Sequence, residues 1–158
     1  MTLELYRQLT GTNVQHVPFK GAAPAMVSLA GGEIEFVIEA LPACLGYIKS
    51  NKVRPLAVTT PQRHALLPAT PTATEAGLPG LTLTSWTGLM VPSATPKDVV
   101  KRIYEEVAGA LKQPDMVQKV REQGFEVVAS APDEAQAFIT KEVERWGKVV
   151  REANVKPD

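Results

Sequence analysis

The residues best suited to chemistry lie in Val17-Pro-Phe-Lys-Gly-Ala-Ala-Pro-Ala25. A glycine between a strand and a helix lets backbone N–H groups at the helix start face outward, where the helix dipole favours an anion such as a carboxylate. Lys20 adds a charge-assisted donor beside Gly21, and the small side chains of Ala22 and Ala23 leave room for a ligand to approach. The alternative is a tight strand-to-helix turn whose Lys20 meets only solvent. Glu39-Ala40 follows the alternating segment Ile34 to Ile38 and is expected at the carboxyl end of a strand, the edge where open α/β sheets bind ligands. Its alternative is a solvated loop acid. Trp86 interrupts a strand near a possible interdomain crossover, where an aromatic serves as a ligand platform or as hinge packing.

Catalytic patterns are missing from the rest of the chain. There is no Gly-x-Gly, no glycine loop ending in Gly-Lys-Ser/Thr and no Gly-x-Ser-x-Gly elbow, so nucleotide binding and serine-hydrolase chemistry lack their usual scaffolds. Cys44 with His16 or His64 is the one conceivable nucleophile and base, with no spacing to support it; a small hydrolase using Cys44 is the enzyme alternative. The two histidines lie far apart and make no metal set. The expectation is a protein that is not an enzyme, with no catalytic residue, no metal and no cofactor.

Charge points the same way. Seventeen Lys and Arg balance 17 Asp and Glu among 158 residues, with no block of one sign, so nothing favours nucleic acid or an anionic membrane surface as partner. A hydrophobic fraction of 44% suits a globular chain and excludes a disordered tail. The single cysteine cannot form an internal disulfide. No run of about 18 apolar residues is present, and the first residues read as an amphipathic helix rather than an export signal.

The elements that must position Lys20, Glu39 and Trp86 alternate between strand-like and helix-like periodicity, which gives the α/β class. A first helix carries Leu5 and Leu9 on one face and ends at Gly11. A second, with Pro24 in its first turn, stops at Gly31-Gly32; a third follows Pro42, with Leu45 and Ile48 inward. Strands are expected at Val14 to Pro18, Ile34 to Ile38, Val53 to Val58, Leu81 to Trp86 continuing through Leu89 to Val91, and Phe125 to Val128. Between Pro61 and Pro79 runs an extended crossing segment with a capping box in Thr72-Ala-Thr-Glu75 and a stop at Gly77. Thr95 caps a helix with Pro96 at its first position and Val99, Val100, Ile103, Val107 and Leu111 on its buried face. Asp115 to Gln123 forms another helix, closed by Gly124. Ser130 to Asp133 opens the last, on which Ala135, Phe138, Ile139, Val143, Trp146 and Val150 face inward.

From Val17-Pro-Phe-Lys-Gly onward the sequence resembles the Bug family, the extracytoplasmic solute-binding receptors associated with tripartite tricarboxylate transporters. The likeness continues through Gly32-Glu-Ile-Glu-Phe36, Lys52-Val-Arg-Pro-Leu-Ala-Val58, Pro71 to Pro79, Ser85-Trp-Thr-Gly-Leu89, Thr95-Pro-Lys97 and Arg145-Trp-Gly-Lys-Val-Val150. The helix at residues 1 to 11 also resembles the one preceding the family's Val-Pro-Tyr-Lys-Gly strand, with Phe19 in place of the tyrosine.

The resemblance implies a type II periplasmic-binding-protein-like fold, two lobes with mixed sheets flanked by helices, holding a small organic acid or related solute without cofactor or catalysis. By position it makes Lys20, Gly21, Ala22, Ala23, Glu39, Ala40 and Trp86 the ligand-binding residues. Family members are roughly twice this length, a two-domain size. This chain is therefore expected to hold only the carboxyl-terminal portion: residues 1–80 the later part of the second lobe, 81–158 the crossing strand and closing part of the first. The implied partners are the solute and the transporter's membrane subunits. The implied location is the periplasm, or the cytoplasm if these residues, which contain no signal peptide, are the full gene product. The alternative function is a truncated self-associating module without an intact ligand site, a homo-oligomer or swapped dimer whose exposed sheet edges pair with another copy.

Overall fold

The structure, a computed structural model, describes residues 2–152. Among the described residues there are six helices: α1 (Thr2–Thr10), α2 (Ala22–Ala30), α3 (Leu41–Lys49), α4 (Lys97–Leu111), α5 (Pro114–Glu122) and α6 (Pro132–Glu152). They fall into two compact units, one reaching Ser85 and the other starting at Trp86.

In the first unit, local signals set each helix end. Gly11 turns left-handed at φ 65° after α1, and its N–H donates to the Arg7 carbonyl at 2.9 Å. Gly31 closes α2 and Gly32, at φ 76°, redirects the chain. Pro42 occupies the first turn of α3, where its missing N–H leaves no bond unmade. Helices α2 and α3 pack together. Met26, 1% exposed, is the fully buried side chain of that contact, and the Cys44 thiol reaches its sulfur at 3.7 Å. Helix α1 joins through Tyr6, whose ring centroid lies 5.5 Å from that of Phe36, and through Leu9, which closes onto Gly80 so tightly that a Cβ there would sit 2.5 Å from a Leu9 methyl.

The capping box forms as read. Glu75 N–H donates to Thr72 Oγ1 at 3.1 Å, and Thr72 N–H donates to Glu75 Oε2 at 2.7 Å. The turn ends at Gly77, φ 89°, with Leu78 N–H returning to the Ala73 carbonyl. Arg63 grips the same Glu75 through Nε at 2.9 Å, which ties residues 63 to 75 into one loop. Val58 bridges Thr72 in parallel: Val58 N–H donates to the Pro71 carbonyl and Ala73 N–H to the Val58 carbonyl. The other segments expected as strands run between helices as connecting chain among the described residues, although Leu83 N–H bonds the Thr59 carbonyl. A ladder needs a neighbour about 4.8 Å away along its length, and within this unit Val58 to Thr59 meets such neighbours only at Pro71 to Ala73 and Leu83.

In the second unit α4 packs on α5 and α6. Helix α4 begins at Lys97, one residue later than expected; Pro96 is its cap residue, and no side chain, including that of Thr95, bonds its first N–H groups. The inward faces are also narrower than their apolar stripes. At 100° per residue, Val143 lies at one edge of the α6 stripe and stays 67% exposed, while Phe138 and Val149 lie about 20° apart around the helix and yet Phe138 is 44% exposed and Val149 is buried. On α4, burial is deepest at Ala108; Val99, on the opposite side of the helix, is exposed, and so is Val107. Phe125 and Val128 are exposed as well.

Candidate functional site

Two helix starts in the first unit carry the expected ligand residues. Gly21 adopts φ 100° and ψ 175°, a combination open essentially to glycine alone, and its N–H donates back to the Phe19 carbonyl at 2.9 Å. That turn swings the chain into α2, so Ala22 and Ala23 become its first helical residues and their N–H groups have no side-chain cap. Pro24 brings no N–H of its own. Lys20 and Ala23 are exposed and Ala22 is half-buried. The arrangement presents the positive end of a helix dipole next to a lysine, a combination that attracts a carboxylate.

At the second start, Ala40 is the residue before α3 and Glu39 precedes it. The Glu39 carboxylate turns onto the helix and accepts the Ala40 N–H through Oε1 at 2.9 Å. It therefore occupies this helix start with a negative charge of its own, and suits a hydroxyl or cationic group of a solute better than a second carboxylate. Glu39 also acts on Cys44: burial first, then the Glu39 charge, pushes the thiol pKa above its ordinary value. A thiol held protonated against Met26 is a poor nucleophile, which argues against hydrolase chemistry at Cys44. His16 is exposed, not packed.

Trp86 belongs to the second unit. Its ring meets Phe138 edge-on at 5.6 Å and remains 42% exposed. The structure thus brings Lys20 to Ala23 and Glu39 to Ala40 onto two helices that pack together, and leaves Trp86 in the other unit. Two surface depressions lie away from all of these residues, one at Ile48 and residues 51 to 55, the other around Lys112, Arg121 and residues 126 to 129. What the sequence reading missed is that the Glu39 carboxylate folds back onto the Ala40 N–H just ahead of α3, whose own first N–H groups have no side-chain cap; an acid just before a proline-led helix start was the available signal.

Comparison with known proteins places these features in context. The sequence pattern of the family described as "Tripartite tricarboxylate transporter family receptor" matches residues 1–155. Protein BugT of Bordetella pertussis is 35% identical over 153 residues, which are 97% of this chain and 47% of that protein. Among solved structures, R. palustris Rpa4515 with adipate superposes at a TM-score of 0.91 with 36% identity, covering 99% of this chain and 52% of that one. MatC (Rpa3494) from Rhodopseudomonas palustris with bound malate gives 0.85 and 30%, covering 94% and 52%. The chain spans about half the length of each of these three proteins. The likeness carries nearly all of it into the α/β fold of periplasmic binding proteins, as the partial two-lobe reading expected.

Proposed function

The chain belongs to the tripartite tricarboxylate transporter receptor family, whose members are periplasmic solute-binding receptors rather than enzymes, and from that premise we propose that it is the portion of such a receptor that holds a small carboxylate at the start of α2. The observation that carries this is the Gly21 turn, which leaves the first N–H groups of α2 uncapped beside Lys20. That adipate and malate occupy two structural neighbours supports a dicarboxylate of that size.

The residues take distinct roles in this reading. The backbone of Gly21, Ala22 and Ala23 receives one carboxylate, and Lys20 adds a charge-assisted bond. Glu39, beside Ala40, accepts from a hydroxyl or cationic group of the solute. The first unit corresponds to the later part of the second lobe and the second to the closing part of the first, a division supported by the break at Ser85. Among the described residues no helix is long and apolar enough to cross a membrane. We assign the working protein to the periplasm, delivering its solute to membrane subunits of the transporter.

Calorimetric titration with adipate and malate tests the site. Lys20→Ala is expected to weaken binding about tenfold, the loss of one charge-assisted bond, and Gly21→Val to abolish it. Unchanged affinity in both variants would make the loop purely structural. A second reading is favoured by the exposure of Leu89, Met90 and Val143: a self-associating module, homo-oligomer or swapped dimer, with no intact ligand site. Light scattering that returns a multiple of 17 kDa, together with no heat from either acid, would select it.

A further inference from the structure

We propose that the basic depression at the carboxyl end of α3 is a docking site for an acidic polypeptide segment. From Ala40 to Thr74 the chain holds no Asp or Glu but four cations, Lys49, Lys52, Arg54 and Arg63. Arg63 pairs with Glu75, just beyond that stretch. Lys49, Lys52 and Arg54 are exposed, and among the described residues none of them forms an ion pair. By contrast Lys101, Arg102, Lys119 and Lys148 each meet an acid four residues away on their own helix. Charge on those helices is neutralised locally, and charge here is not.

Helix-end carbonyls, which also draw cations, are occupied here by the chain itself. Asn51 turns left-handed at φ 55° after α3. Its N–H donates to the Ile48 carbonyl at 3.0 Å and the Lys52 N–H donates to the Tyr47 carbonyl at 2.9 Å, the paired bonds of a Schellman turn. Ser50 Oγ donates to the Gly46 carbonyl at 2.9 Å. These bonds fix the turn that carries Lys52 toward Arg54. Both cations line the depression, with half-buried Ile48, Val53 and Pro55 as its apolar wall. Cations beside an apolar wall suit a segment that mixes acidic and apolar side chains.

The number of charges selects the occupant. Each exposed pair is weak and screened by salt, so a small anion gains little, whereas an acidic segment engages all the cations at once. Nucleic-acid sites neutralise roughly 6–10 phosphates and anionic-lipid sites gather about 4–8 Lys or Arg, more than Lys49, Lys52 and Arg54 supply.

The test titrates the isotope-labelled 158-residue chain with a peptide of Glu-Glu-Leu repeats and follows its amide resonances. At low salt the signals of residues 48–55 are expected to move together, with a dissociation constant on the order of 0.1–1 mM that weakens about fivefold at about 0.15 M salt. Lys52→Glu and Arg54→Glu should each weaken binding about fivefold, because each turns an attraction into a repulsion, and the double variant should abolish it. Both side chains are exposed, so circular dichroism should show the helices retained. Lys141→Glu, an exposed reversal on α6, should leave binding unchanged. Binding that persists in the double variant, equal affinity for Gln-Gln-Leu repeats, tighter binding of duplex DNA or phosphatidylglycerol vesicles, or no shift at residues 48–55 overturns the proposal. Adipate in excess should not displace the peptide; displacement would place the peptide at the start of α2 and overturn the proposal as well.

Discussion

Replacing Gly21 by alanine isolates the conformational demand of the α2 start. Nothing lies within 4 Å of a Cβ built on Gly21, so the substitution causes no clash. Its cost is purely backbone: φ 100° and ψ 175° are strained for any L side chain by about 1–3 kcal/mol. Gly46 provides the contrast. It lies in α3, also with nothing within 4 Å, and has no positive φ, so alanine there is expected to stabilise by about 0.5–1 kcal/mol. Two glycines with the same empty surroundings should thus respond with opposite signs. For a unit of this size each kcal/mol moves the melting temperature by roughly 4–8 °C. Scanning calorimetry of dilute protein should therefore show Gly21→Ala melting on the order of 10 °C lower, and Gly46→Ala a few degrees higher. If Gly21→Ala melts with the parent protein, the loop is not held in the glycine conformation. The N–H groups of Ala22 and Ala23 would then not be preset for an anion, and the site argument would fail with it.

Three further outcomes follow from packing and charge. Met26→Ala, at a 1% exposed position between α2 and α3, should lower denaturant stability by about 2–5 kcal/mol; a loss well under 1 kcal/mol would mean that these helices do not share a core. The Arg63 side chain first, and then the Thr72 N–H, hold the Glu75 carboxyl below its ordinary value. That lowered pKa stabilises the fold above the ordinary carboxylate range and is lost as pH falls through the lowered value. Glu75→Gln should therefore be less stable than the parent at pH 7 and match it in acid, as read by melts across pH; a gap that persists at the acid end contradicts the ion pair. Burial and Glu39 raise the Cys44 pKa, so Cys44 should react with a thiol reagent at pH 8 more slowly than a free cysteine. Glu39→Gln should lower that pKa and speed the reaction; an unchanged rate would show that the Glu39 charge does not reach the sulfur.

The sequence by itself determined most helix boundaries to within a residue and the likeness to the receptor family. Pro42, Gly11, Gly31, Gly32, Gly77 and Gly124 act within a turn of their own position, as does the reciprocal pair of Thr72 and Glu75, so their structural consequence is readable from neighbours one to four residues away. The start of α2 at Ala22 was legible for the same reason, because only glycine holds the preceding turn. The tertiary structure decided everything that depends on a distant partner. It set Cys44 against Met26, brought Arg63 to Glu75, and pressed Leu9 onto Gly80. It also chose which part of each apolar stripe is covered. Periodicity marks Phe138 and Val143 as inward residues of α6 and leaves out Val149, yet of these three it is Val149 that is buried. An apolar stripe records that a helix seeks a partner; how much of its width is covered depends on the breadth of the surface that other segments bring to it.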